Sequence, residues 1–334
     1  MHDVYDAIIV GGGPAGLAAA LTLGRSRRRV LLLDAGQGRN APAAAVHNLL
    51  ALDGTPPEEL RRVGREQLAR YPGVELREAA VADARALAGD GFRLELVGGD
   101  IVTGRRLVLA TGLADELPAI DGLAPLWGRS AFHCPYCHGF EASGRRLAVL
   151  GAEPERVRLA LQLTRFTDDL VLCANGEPLP RDLADLLAAN GVGVRGEPVT
   201  RFEGGDGRLE RIVLAGGPPL ARDVVFIATE LRQRSDLAGR LGCALLPDGC
   251  VEVDEQARTS VPGVYAAGDM AHRATMPRPF AAVVGAAAAG ALAGAMLDQD
   301  LLGTDFELPP PGAPREVPAA AGDPDQLART TADA

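Results

Sequence analysis

Gly11-Gly12-Gly13-Pro14-Ala15-Gly16 follows the short apolar run Ala7–Val10 and opens onto the apolar segment Leu17–Leu23. Glycines at 11, 13 and 16 satisfy G-x-G-x-x-G, and the flanking pattern predicts a strand, a tight turn and a helix. Glycines let backbone approach a pyrophosphate closely, and the N-terminus of the following helix favours its charge. Asp34 ends the next apolar strand, Val30–Leu33, about twenty residues on, where an acid accepts hydrogen bonds from ribose hydroxyls. Strand, turn, helix and acid together predict a dinucleotide site of the Rossmann type.

The same grammar continues outward. A charged helix is expected from Thr55 to Ala69, and strands at Val74–Arg77, Phe92–Val97 and Leu107–Leu109, the last ending in Ala110-Thr111-Gly112. After a link rich in Pro and Gly (Leu117–Gly128), a second strand–glycine–helix unit begins at Leu147–Leu150 and Gly151 and runs to Phe166. Further strands are predicted at Leu170–Leu172, Val224–Ala228 and Val264–Ala267. Two such units in 334 residues predict an α/β protein with two Rossmann-like dinucleotide-binding domains. The stretch Leu308–Ala334 is Pro-, Ala- and Asp-rich, and is expected to be a mobile tail.

Composition narrows the function classes. The net charge of −10 disfavours nucleic acid and anionic membrane as partners. The Ala-rich run Ala281–Met296 is short and made of small residues, which predicts a buried helix and no membrane span. All 34 basic residues are Arg, so no lysine can form a Schiff base or serve a P-loop. No basic, apolar leader precedes Ala7–Val10, and a cytoplasmic location is expected. There, a close cysteine pair tends to be redox-active or metal-binding.

Cys134-Pro135-Tyr136-Cys137 is such a pair. Zinc would need further ligands at close spacing, whereas Cys173, Cys243 and Cys250 are scattered, so no metal site is expected. Cys134–His138 also fits the C-x-x-C-H of haem attachment, and the letters CPYC occur in glutaredoxins. Thiol–disulfide chemistry fits the pair itself, whose thiols can close a small ring.

As a set, the glycine turn, Ala110-Thr111-Gly112, Cys134-Pro135-Tyr136-Cys137 and Gly263-Val264-Tyr265-Ala266-Ala267-Gly268-Asp269 resemble the low-molecular-weight thioredoxin reductases, over residues 4–300. The resemblance implies FAD and carries its contacts to Gly11, Gly13, Pro14, Ala15, Gly16, Asp34, Ala35, Gly36, Arg39, Asn40, Asn48, Val81, Ala110, Thr111, Gly112, Gly268 and Asp269. Ala282 aligns where the family commonly has a Gln. The resemblance also implies a homodimer and a cofactor domain made of residues 1–116 and 247–307, interrupted by an NAD(P)-like domain at 117–246. The pair lies after the first cofactor half, where this family keeps its redox cysteines; by resemblance Cys137 faces the flavin and Cys134 exchanges with substrate.

Two departures set the expected direction of electron flow. His138-Gly139-Phe140-Glu141 follows the pair where the family usually has Asp. His138 as base, oriented by Glu141, is the expected proton acceptor, and C-P-Y-C-H-G-F-E resembles the gliotoxin- and holomycin-type dithiol oxidases. The second turn, Gly151-Ala152-Glu153-Pro154-Glu155-Arg156, puts Glu and Arg where glycine and a small residue belong. The family's basic motif after the next strand is replaced by Cys173-Ala174-Asn175. NADPH binding is therefore doubtful. The expected activity is FAD-dependent oxidation of a small-molecule dithiol with O2 as acceptor, with Met276–Phe280 near the substrate mouth. The alternatives are a NAD(P)H- or ferredoxin-dependent disulfide reductase for a thioredoxin-like protein, and a non-enzymatic flavin redox sensor.

Overall fold

The structure, a computed structural model, describes residues 4–308; apart from Leu308, the tail predicted to be mobile lies outside them. The first sheet contains β1 (Tyr5–Val10), β2 (Val30–Asp34), β3 (Val74–Glu78), β4 (Val81–Ala86), β5 (Phe92–Leu96) and β6 (Ile101–Leu109), joined by Val264–Ala266 from late in the chain. Its order is β3-β2-β1-β6-β5-β4, and Val264–Ala266 lies parallel to the C-terminal half of β6. The parallel strands β1 and β2 are apolar runs at Ala7–Val10 and Val30–Leu33 because both faces are covered there. β5 is antiparallel to both its neighbours; the half-exposed β4 and the first half of β6, where Thr103–Arg106 interrupts the apolar residues, lack the unbroken apolar pattern by which the sequence marks strands.

Helix α1 (Pro14–Arg25) starts directly from the glycine turn, with Pro14 in the first turn, where a missing N–H costs nothing. Helix α2 (Pro57–Leu68) matches the charged segment predicted there. The Ala-rich run begins a helix, Val283–Phe306, that outlasts the predicted span. Its Gly290 and Gly294 meet α1: a Cβ at Gly290 would lie 1.9 Å from the Ala15 carbonyl oxygen, and one at Gly294 3.0 Å from that of Ala19. Glycine is needed here so that two helix backbones can touch.

The second sheet is wholly parallel, in the order Gly193–Arg195, Leu170–Cys173, Leu147–Leu150, Val224–Phe226, Ala131–Phe132. After its edge strand Ala131–Phe132 comes the short α3 (Pro135–His138), and after Leu147–Leu150 comes α4 (Pro154–Leu163). A ribbon of Leu113–Glu116 paired antiparallel with Glu230–Gln233 joins the segments that lead from one sheet to the other. The architecture is the predicted one: two α/β units of Rossmann type, the first completed by a segment that returns after the second. Among the described residues no helix is long and apolar enough to cross a membrane.

Candidate active site

The first turn is shaped by three close approaches. Gly11 has φ +113°, and a Cβ there would lie 2.2 Å from the Ala110 carbonyl oxygen at the end of β6. A Cβ at Gly16 would lie 1.8 Å from the Gly11 carbonyl oxygen, and one at Gly12 would strike the Asp34 carboxyl. Gly13, Gly36 and Gly112 instead face open space, with nothing within 4 Å of an ideal Cβ. A cradle of bare backbone thus lies at the N-terminus of α1, beside the ends of β2 and β6, and it fits a dinucleotide pyrophosphate. Pro14 and Ala15 form the first turn of α1, and Ala35 lies exposed just past β2.

The predicted cofactor residues divide by what their side chains already hold. Asp34 is buried; its Oδ1 accepts the Gly36 N–H at 3.2 Å, and Arg65 Nη2 donates to its Oδ2 at 2.5 Å. Arg39 donates to both oxygens of Asp115 at 2.7 Å and to Asp269 Oδ2 at 2.8 Å, so its charge fixes two carboxylates. Burial pushes the Asp269 carboxyl up. Burial also opposes ionisation of Asp115, yet the hydrogen bonds and charge of Arg39 hold it below the usual range. Asn40 Oδ1 accepts from Arg61 at 3.5 Å, and Thr111 Oγ1 lies 3.3 Å from Met270 Sδ. Gly268, with φ +84°, packs on Ala15, while Val81 opens β4. Ala282 directly precedes the helix Val283–Phe306, and its carbonyl accepts the Ala286 N–H; its methyl offers no hydrogen bond.

Cys134 and Cys137 form a disulfide with Cα atoms 5.3 Å apart. Cys134 stands just before α3, and its carbonyl accepts the N–H groups of Cys137 and His138. Gly139 closes the turn: a Cβ there would lie 2.4 Å from the Pro135 carbonyl oxygen and 3.1 Å from the Phe166 ring. The pair is thereby pressed onto the end of α4.

The expected dyad of His138 and Glu141 takes a different form. The His138 ring stacks on Phe132, centroids 4.1 Å apart and planes 11° apart. Burial, with His47 and His133 nearby, pulls its pKa down to about 4. The Ala142 N–H still bonds the His138 carbonyl, yet the Glu141 side chain points away from His138, and its Oε1 lies 3.5 Å from Nδ1 of His47. The same Nδ1 lies 3.5 Å from Asp53 Oδ2. Asn48, next in the chain, has φ 59° and donates its backbone N–H to Asp53 Oδ1 at 2.6 Å. His133 stacks on Trp127, and burial lowers its pKa too.

A cavity of about 550 Å³ opens here, between His47, Asn48 and Asp53 on one side and Pro135, Tyr136, Phe140 and Glu141 on the other. Gln162, Arg165 and Phe166 at the end of α4 complete its lining. Met276–Phe280, expected at the mouth, is not part of that lining. The sequence reading missed His47, Asp53 and Arg165; the only local signal was His47 beside Asn48, which the family resemblance singles out. The remaining cysteines are buried, with burial pushing Cys173 up to about 11 and Cys250 up to about 12 and raising Cys243, which leaves them poor nucleophiles.

At the second turn Gly151 has φ +114°, but its open face is filled. An ideal Cβ there would lie 2.4 Å from Glu153 Oε2 and 2.8 Å from Arg156 Cγ. Both side chains fold over the Gly151 backbone, and Glu153 stands at the position that the open Gly13 holds in the first turn. Arg156 Nη1 is buried with no hydrogen-bond partner among the described residues, and burial lowers the guanidinium's pKa.

Residues 5–294 match the model of the pyridine nucleotide-disulphide oxidoreductase family. The chain is 34% identical over 312 residues to "Thioredoxin reductase tcpT" of Claviceps purpurea, covering 90% of this chain and 97% of that protein. To "Thioredoxin reductase sirT" of Leptosphaeria maculans it is 31% identical, covering 91% and 96%. The crystal structure of HlmI superposes with a TM-score of 0.85 at 39% identity, covering 92% of this chain and 96% of that one. These similarities agree with the branch read from Cys134–Glu141, and with FAD as the cofactor of the first site.

Proposed function

Because the chain belongs to the pyridine nucleotide-disulphide oxidoreductase family, we propose that it is an FAD-dependent dithiol oxidase, closing a disulfide in a small molecule at the expense of O2. The observation that carries this reading is the contrast between a formed Cys134–Cys137 disulfide beside a small cavity and a second nucleotide turn covered by Glu153 and Arg156. An enzyme whose pyridine-nucleotide turn is covered can instead draw its electrons from substrate thiols through the cysteine pair. The carboxylate of Glu153 would also repel a pyrophosphate.

The residues divide the work as follows. A substrate thiolate attacks Cys134, the Cys134–Cys137 bond breaks, and Cys137 leaves as a thiolate. The second substrate thiol resolves the mixed disulfide, giving a product disulfide and a reduced pair. FAD, when bound, would supply the two-electron acceptor for the reduced pair, with O2 as the final acceptor and peroxide as its product. Gly11, Gly13, Gly16, Gly112, Gly268 and Asp34 would hold it, with Asp269 fixed by Arg39. A cavity of about 550 Å³ suits a ligand of drug size, and the exposed Tyr136 and Phe140 offer it apolar contact. The reading includes a homodimer in the cytoplasm.

The relatives named thioredoxin reductase favour a second reading, reduction of a thioredoxin-like protein. One anaerobic experiment separates the two: the holoprotein is mixed with dithiothreitol or with NADPH, and flavin absorbance is followed. Rapid bleaching by the dithiol, with little by micromolar NADPH, is expected; the reverse order would overturn the oxidase. Cys134→Ser or Cys137→Ser should abolish aerobic dithiol turnover while leaving a yellow protein.

A further inference from the structure

We infer that His47, held between Asp53 and Glu141, takes the proton from the incoming substrate thiol, in place of the His138 that follows the cysteine pair. This deepens the dithiol-oxidase reading and rests on it.

Three observations converge. First, two carboxylates lie on one nitrogen: Asp53 Oδ2 and Glu141 Oε1 are each 3.5 Å from His47 Nδ1. With the proton on Nδ1, where Asp53 can accept it, Nε2 is the acceptor nitrogen. Second, His47, Asp53 and Glu141 all line the cavity together with Pro135 and Tyr136, the two residues between the cysteines. The loop of residues 46–55 is tied into this shape. Val46 and Thr55 pair as an isolated bridge, and the Asn48 N–H holds the other Asp53 oxygen at 2.6 Å. Third, His138 is unsuited to the task. It lies flat on Phe132 and is not among the residues lining the cavity.

The charged and titratable groups around His47 are therefore Asp53 on its own loop, Glu141 and His138 on the cysteine segment, and Arg165 at the end of α4. His138 meets it edge to face, with ring centroids 6.3 Å apart.

The step balances simply. The substrate S–H proton moves to Nε2 of His47. The resulting thiolate forms a bond to Sγ of Cys134 as the Cys134–Cys137 bond breaks, and Cys137 departs as a thiolate. The substrate sulfur is oxidised and the Cys137 sulfur reduced. The second substrate thiol loses its proton in the same way and displaces Cys134. Two electrons have then passed from the dithiol to the cysteine pair, and two protons are released.

The test is anaerobic stopped-flow reduction of the holoprotein by dithiothreitol across pH 6–9. His47→Gln should slow flavin bleaching about 100-fold near pH 7, within the range for loss of a general base. The loss should shrink as pH rises, because only thiolate already present in solution can then attack. The native rate should change less steeply over that range. Asp53→Asn and Glu141→Gln should each give an intermediate loss, with the double variant approaching His47→Gln. His138→Gln, its side chain stacked outside the cavity, should keep the native pH profile. An unchanged flavin spectrum and full thiol titre after chemical reduction would exclude a folding defect.

The inference is overturned if His47→Gln stays within twofold of native at every pH. It is equally overturned if His138→Gln, and not His47→Gln, acquires the steep pH dependence. If the native protein itself is not bleached by dithiothreitol, the oxidase reading falls, and the inference with it.

Discussion

Two strand–glycine–helix turns stand in this one chain, and they have met opposite fates. At Gly11–Gly16 the motif glycines sit either against backbone, as Gly11 and Gly16 do, or against empty space, as Gly13 does, while Gly12 faces the Asp34 carboxyl. At Gly151–Arg156 the opening glycine keeps its positive φ, but two long side chains occupy the face it leaves. The turn conformation therefore survives independently of the ligand it serves elsewhere. Backbone geometry is set by the strand and helix on either side, whereas occupancy is set by two side chains that the geometry does not require.

The contrast can be broken most sharply by giving the first turn a residue from the second. Gly13→Glu introduces a side chain into space the protein leaves open, so the apo fold should persist. FAD retention should fall by at least about 100-fold, from charge repulsion and lost backbone approach. Flavin-to-protein absorbance ratios and apo-protein thermal unfolding would measure both. A yellow, active Gly13→Glu would mean that the cradle lies elsewhere.

A smaller effect is expected in the other direction. Glu153→Gly combined with Arg156→Ala uncovers Gly151, and should raise the rate of anaerobic flavin bleaching by NADPH by about tenfold, roughly 1.4 kcal/mol in the barrier. The gain stays modest because Cys173-Ala174-Asn175 still offers no basic grip. No change at millimolar NADPH would show that side-chain cover is not what closes this site.

The least effect should come from Arg156→Met alone. The wild-type guanidinium is partly buried with Nη1 unpartnered among the described residues. Replacing it with an apolar chain of similar length should stabilise the fold by about 0.5–1 kcal/mol, read from urea unfolding. Destabilisation of that size would mean that Arg156 holds a contact important for packing α4.

What could be read from the sequence follows from how local each feature is. The first turn needs three glycines and an acid within about twenty-five residues, and the cysteine pair needs four residues; both were plain. The cavity over the pair was not. It gathers His47, Asp53, Glu141 and Arg165 from three separate stretches, and no spacing within any stretch announces the others. The pairing of Glu141 with His138 rested on nearness in sequence, whereas the His138 ring lies on Phe132 and the carboxylate turns to His47. The meander of β4, β5 and the start of β6 was only partly visible, since its half-exposed strands mix charged and apolar residues. The buried centres of β1 and β2, apolar without interruption, gave no such difficulty.

The late strand Val264–Ala266 bears on how the chain is made. It covers Leu107, Val108 and Leu109, whose side chains are fully buried in the finished fold. About 150 residues separate the two segments. At ribosomal speeds of about 5–20 residues per second, that edge waits roughly 8–30 seconds for its partner. Throughout that interval the nascent protein carries an apolar, unpaired strand edge while the second sheet is still being synthesised. The interrupted layout thus creates a timed window in which chaperones or neighbouring nascent chains can reach the centre of the cofactor-binding sheet.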